Sequence, residues 1–146
     1  MALSSTALPV GARRSLYLRY GVRAATALAG ALFAYKLFEA LTSTRYAVAG
    51  DSMRPTLAPG DYLLVSLMAY ARSRPSPGDI VVVRDPERVG MTLIKRIAAT
   101  SEGAYVVLGD NGSASRDSRA FGPVPRDDIL GRAWLRYWPP RRFGLL

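Results

Sequence analysis

Between positions 24 and 42 the chain reads AATALAGALFAYKLFEALT, a segment rich in Ala, Leu and Phe. Its length falls at the short end of the ~17–25 apolar residues that carry a helix across a bilayer. Arg13, Arg14, Arg19 and Arg23 stand ahead of it with no acidic residue among positions 1–23. A cluster of arginines before a span predicts an N-terminus inside and a C-terminal domain outside. Lys36 and Glu39 interrupt the apolar run, but three residues apart they share one helical face and can pair. Both fall in its last third, where long side chains reach an interface. An amphipathic surface helix, a packing helix of a soluble protein and an organelle transit segment are the competing readings. The favoured division is a basic segment over 1–23, one transmembrane helix over 24–42 and a single domain over 43–146, with disorder over about the first ten residues.

After Arg45 the texture changes to short β-type runs separated by Gly, Pro and Asp. The pattern predicts strands over 45–49, 62–67, 79–84, 92–98, 104–108 and 130–138. Turn signals stand between them at Pro59-Gly60-Asp61, Pro77-Gly78-Asp79, Gly109-Asp110-Asn111-Gly112 and Gly122-Pro123. Strands at this spacing predict a mostly β sheet or barrel and not a parallel α/β fold.

Two absences narrow the chemistry. The chain has no cysteine, which excludes thiol catalysis, disulfides and thiolate metal sites. It also has no histidine, which removes the Ser-His-Asp triad and the commonest zinc ligand. The net charge of +9 fits an anionic membrane surface, nucleic acid, or merely an arginine-rich exterior. Of the 20 basic residues only Lys36 and Lys95 are lysines. Arginine stays charged, whereas a desolvated lysine gives up its proton. Codon bias with two chance survivors is the plainer explanation, so the surrounding residues must decide.

Three segments supply them. In AGDSMRPTLAPGD, Ser52 follows Gly50 at a strand end and Pro55 blocks regular continuation. Such a turn can present a hydroxyl with free backbone N–H groups, although most serines in turns are caps. In MTLIKRIAA, strand alternation puts Lys95 on one face with Met91, Leu93 and Ile97, while Arg96 points the other way. Burial lowers a lysine pKa from about 10.4 toward the ~7–8 that suits a general base. A lysine snorkelling from a sheet edge satisfies the same pattern. In LGDNGSASRDSRAFGPVP, small polar residues can orient the lysine while an Asp–Arg pair braces the loop. The rival reading there is an ordinary polar turn.

Together these segments resemble the type I signal peptidase family, the membrane-bound Ser-Lys proteases. GDSMRPTL is similar to the family's nucleophile box, PGDIVVV to its second strand box and LIKRI to its lysine box. GDNGSASRDSR, followed by FGPVP and ILGRA, resembles its last box, and the likeness covers about residues 46–138. By position, the resemblance implies Ser52 as nucleophile, Lys95 as base and Ser115 as the serine that positions the lysine. It implies Asp117 and Arg119 as a structural pair and Asp110 as the aspartate of the GDN turn. Gly50, Ser52 and Met53 are the implied substrate-facing and oxyanion positions. Some members carry a serine where this chain has Gly50, so a backbone hole is implied. Only about a dozen residues separate the lysine and GDN boxes, where many members insert a long β domain. That compactness resembles short bacterial members, among them nickel-type superoxide dismutase maturation proteases. The ending RYWPPRRFGLL resembles mitochondrial inner-membrane peptidases.

The resemblance implies a compact antiparallel β sheet or barrel behind one N-terminal helix. It further implies endoproteolysis after small residues at −1 and −3 of precursor proteins, with no metal or organic cofactor. The bilayer is the other expected partner, and nucleic acid is not expected. A single-pass plasma-membrane protein with an extracytoplasmic protease domain follows, the alternatives being the mitochondrial inner membrane facing the intermembrane space, or the cytoplasm. A self-cleaving Ser-Lys regulator would need a DNA-reading domain upstream, and residues 24–42 are too apolar for one. A noncatalytic basic module finds support in Arg132, Trp134, Arg136 and Trp138, which share a strand face. It leaves Ser52 and Lys95 unexplained.

Overall fold

The computed structural model describes residues 10–146, with side chains from Tyr20 onward. The expected disorder of the first ten residues, and the side chains of Arg13, Arg14 and Arg19, lie outside the described residues. The chain forms two units, residues 1–39 and 40–146.

Helix α1 runs Val10–Thr42, beginning ahead of the membrane span expected over 24–42. The reason is local: beyond Pro9 the sequence offers Arg, Leu and Ala, and no proline, up to its end. Tyr20–Thr42 has a mean hydropathy of 1.3 and none of it is buried, so it is long and apolar enough to cross a membrane. Its apolar residues favour no one side of the helix, unlike an amphipathic surface helix. Lys36 and Glu39 form the i,i+3 ion pair expected of them, at 2.8 Å.

Residues 40–146 form an eight-stranded antiparallel sheet. Its strands are β1 (Thr44–Ala47), β2 (Tyr62–Ser66), β3 (Ile80–Arg84), β4 (Thr92–Ser101), β5 (Ala104–Leu108), β6 (Val124–Pro125), β7 (Ile129–Trp138) and β8 (Gly144–Leu145). The order across the sheet is β1-β2-β7-β3-β4-β5-β6, with β8 added to β7. The six expected strands are present with ends shifted by a few residues. β6 and β8 were not expected, being two residues each and too short to show alternation. A four-residue helix, α2 (Ser118–Phe121), also breaks the segment expected to be loop.

The sheet is covered on both faces. One cluster gathers Val48, Met53, Leu57, Leu63, Val65, Ile80, Val82 and Ala133. The other gathers Tyr70, Val81, Val83, Ile97, Tyr105, Val107, Val124 and Ile129. Central β3 feeds both clusters, which is why it reads as an unbroken IVVV run.

Two turns of the same design enter β2 and β3. In Ala58-Pro-Gly-Asp61 and Ser76-Pro-Gly-Asp79 the glycines take φ of +87° and +97°, which a side chain would strain. Each aspartate closes its own turn, donating its N–H to the first residue's carbonyl and accepting that residue's N–H on its carboxylate.

Candidate active site

Ser52 lies in the turn-rich segment between β1 and β2, and Met53 anchors that segment by burying its side chain in the first core cluster. Lys95 lies in β4 opposite Val81 of β3, on the face of the second cluster. The two side chains meet: Lys95 Nζ is 2.9 Å from Ser52 Oγ and 3.1 Å from Ser115 Oγ. Lys95 is only 2% exposed. Desolvation by its apolar surroundings holds the ammonium below the usual lysine range. Asp117 opposes that shift and Arg119 reinforces it.

The loop after β5 fixes the third member. Ser115 Oγ–H donates to Asp117 Oδ2 at 2.6 Å. Asp117 is fully buried and also accepts the Gly109 N–H at 2.9 Å and two guanidinium bonds from Arg119. The guanidinium, ahead of the other donors, holds this carboxyl far below the usual carboxylate range. Asp117 is therefore an acceptor only. With its single proton committed to Asp117, Ser115 can only accept from Lys95.

The same loop grips the serine turn. Asn111 N–H donates to the Ser52 carbonyl at 2.9 Å. A Cβ on Gly109 would stand 2.5 Å from that carbonyl and 2.2 Å from Ser115 Oγ, so only glycine fits. At Gly50 the opposite holds, since a Cβ there would meet no atom within 4 Å.

A cleft of about 250 Å³ opens beside Lys95, lined by residues 46–50 and 92–95 with Ser52 and Met53. Its walls are strand edges. β1 ends the sheet, and β4 pairs with β5 only from Arg96 onward, so one edge of residues 92–95 carries no strand partner. Such edges accept an extended peptide by backbone hydrogen bonding.

Asp110 sits outside the contact between Ser52, Lys95 and Ser115. Arg96 clamps it with two bonds of 2.9 and 2.7 Å, and the pairing lowers the carboxyl and raises the guanidinium. Arg96 also donates to the Gly78 carbonyl and to Thr56 Oγ1, joining three loops behind the site. Sequence reasoning set Arg96 aside, though its place beside the strand lysine, facing the opposite way, was a usable signal. It also missed buried Asp61, which faces Arg136 at 3.6 Å and Arg142 at 3.2 Å while both arginines donate to the Thr56 carbonyl. Those partners are too distant in sequence to leave a local pattern. The shared face expected for Arg132, Trp134, Arg136 and Trp138 is broken by a register shift in β7. The shift sets Arg132 opposite Val81 of the second cluster and Arg136 opposite Leu63 of the first. Arg132 pairs with Asp79, and Trp134 Nε1–H donates to Ser43.

The sequence matches the family described as signal peptidase, peptidase S26, over residues 19–101 and 99–138. It is 39% identical over 120 aligned positions to the mitochondrial ATP-independent inner membrane protease subunit 1b of Arabidopsis thaliana, covering 66% of this chain and 71% of that one. Against the mitochondrial inner membrane protease subunit 1 of Xenopus tropicalis, identity is 33%, covering 66% and 70% of the two chains. The probable signal peptidase I-1 of Synechocystis is 29% identical over 143 positions, covering 68% and 73%. With an antiparallel β domain behind an apolar helix and these matches along most of its length, the chain belongs to the type I signal peptidase family and is a peptidase.

Proposed function

We propose that this peptidase works through a Ser52–Lys95 dyad and removes N-terminal leader segments from precursor proteins. The observation that carries the reading is the 2.9 Å approach of a desolvated Lys95 amine to the Ser52 hydroxyl. Neutral Lys95 takes the Ser52 proton as Oγ attacks the scissile carbonyl. The resulting ammonium protonates the departing amine, and water, deprotonated by Lys95 in turn, hydrolyses the acyl-enzyme. Backbone N–H groups of the turn at Ser52 and Met53 receive the oxyanion, with Gly50 leaving its side free for substrate. Ser115 orients the lysine, Asp117 and Arg119 hold Ser115, and Asp110 with Arg96 braces the loop.

The cleft's Ala47, Ala49 and Gly50 wall and its modest 250 Å³ suit small side chains, in keeping with small residues at −1 and −3. The apolar helix, with positions 24–42 as its membrane-embedded part, holds residues 43–146 at the surface of the bilayer, outside the compartment of the N-terminus. A bacterial plasma membrane is the setting favoured for this orientation, and the mitochondrial inner membrane is the second.

The test compares wild type with Ser52→Ala, Lys95→Ala and Lys95→Arg on a precursor whose leader ends in Ala-x-Ala. All three variants are expected to stay folded and to lose cleavage by at least ~10³-fold. Cleavage by folded Lys95→Arg at a wild-type rate would remove the general-base assignment, because arginine cannot take the proton.

A further inference from the structure

Arg116 lies between Ser115, which meets the lysine, and Asp117, which holds that serine. The backbone on either side is extended, with φ and ψ of −119° and 123° at Ser115 and −154° and −164° at Asp117. Side chains alternate along an extended chain, so Arg116 points away from Lys95 while its two neighbours point toward it. Its guanidinium reaches the 85–91 loop between β3 and β4, where it bonds both Asp85 and Glu87. The Asp85 side chain is 1% exposed, and its other oxygen accepts the N–H groups of Glu87 and Arg88. Removing Arg116 takes the charge partner from that buried carboxylate. The guanidinium also stands 5.6 Å from the centre of the Phe121 ring, and Phe121 packs on the second cluster.

The loop that Arg116 grips is the one from which β4 leaves. Asp85 N–H donates to the Met91 carbonyl at 3.0 Å, and β4 begins at Thr92, just ahead of Lys95. The elements that carry Lys95 and Ser115 are therefore joined twice. One link is the direct contact at 3.1 Å, and the other is the bridge behind it from Arg116 to Asp85.

Resting on the dyad reading for what the lysine does, we propose that Arg116 is a positioning residue for Lys95. By latching the 85–91 loop to the loop after β5, it sets the approach of Ser115 and keeps water from the amine. Once the latch is released, residues 115–117 move off β4 and water relieves the desolvation that holds the amine down. The charges that act on the amine are Asp117 and Arg119, and the Ser52 and Ser115 hydroxyls face it as well. Losing Arg116 and losing Asp85 have the same effect if they act through position. Acting through charge, they have opposite effects, since removing a cation raises a nearby lysine and removing an anion lowers it.

The experiment uses the full chain in detergent micelles, with carbon-13 at lysine Cε. Lys36 and Lys95 are the only lysines, so the spectrum of Lys95→Arg assigns the Lys95 signal, and its titration is read by NMR without turnover. Cleavage of an Ala-x-Ala peptide is read in parallel as kcat/KM. Arg116→Met and Asp85→Asn are each expected to raise the Lys95 midpoint by about half a pH unit or more. Each lowers kcat/KM by ~10²-fold, and the double variant loses no more than either alone. Glu87→Gln, at a 55% exposed side chain, raises the midpoint less but in the same direction, and it carries the test if Arg116→Met does not fold. An unmoved midpoint in the folded variants, or shifts of opposite sign for Arg116→Met and Asp85→Asn, would overturn the latch. Absence of cleavage by wild type would count against the dyad instead, and the Lys95 titration would still decide the latch.

Discussion

At Lys95 the requirements of folding and of catalysis pull in opposite directions. Its amine is held below the usual lysine range chiefly by desolvation, so in the unfolded chain it binds its proton more tightly. The protonated form therefore favours unfolding. The penalty is full below the folded pKa, shrinks as pH rises above it and is gone above the ordinary value of 10.5. Lys95→Met is expected to abolish cleavage while stabilising the fold at neutral pH. Chemical denaturation across the pH range checks this, the gain vanishing as pH nears 10.5. Gly109 answers for geometry where Lys95 answers for charge. Gly109→Ala forces apart the Ser52 carbonyl and Ser115, which its Cβ would meet at 2.5 and 2.2 Å. A loss of ~10²-fold or more in kcat is expected, since displacements near 1 Å cost that much. Unchanged kcat in a folded variant would show that the loop yields without disturbing the dyad.

Among the elements, the segment from Ser52 to Asp61 depends most on distant partners. Arg96 of β4, Arg136 of β7 and Arg142 of the following turn all reach Thr56, and the last two also face Asp61. Removing the buried carboxylate takes the charge partner from two arginines and the acceptor from the Ala58 N–H. Asp61→Ala is thus expected to cost about 3–5 kcal/mol, measurable by urea unfolding, and to lower kcat more than it raises KM. The same clamp shows where sequence reading stops. Lys95, Ser115 and Asp117 were legible because each belongs to a compact motif, and the strands because alternation and Pro-Gly-Asp turns act locally. The Asp61 clamp joins positions about eighty residues apart, and the two short strands, though nearer their partners, depend on pairing and not on pattern. That α1 extends beyond the span expected over 24–42 has another reason. Apolarity marks where a membrane segment begins, but a helix can run on beyond it, and no proline interrupts this one back to Val10.

The whole molecule joins an exposed apolar helix to a domain with its own two-sided core. Residues 40–146 alone are expected to fold with a β-type circular dichroism spectrum and to cleave a soluble Ala-x-Ala peptide. On a vesicle-embedded precursor they should be slower than the full chain by ~10²-fold, because the anchor raises effective concentration at the surface. Equal rates on both substrates would deny the helix that role. For the account at large, the decisive quantity is the protonation state in which the enzyme works. The pH dependence of kcat/KM on the soluble peptide measures it directly. The account predicts an activity that rises with unit slope to a plateau, its midpoint below the ordinary lysine value of 10.5, and no such rise in Lys95→Arg. A wild-type midpoint at or above 10.5, or a Lys95→Arg enzyme that follows the wild-type curve, would contradict it.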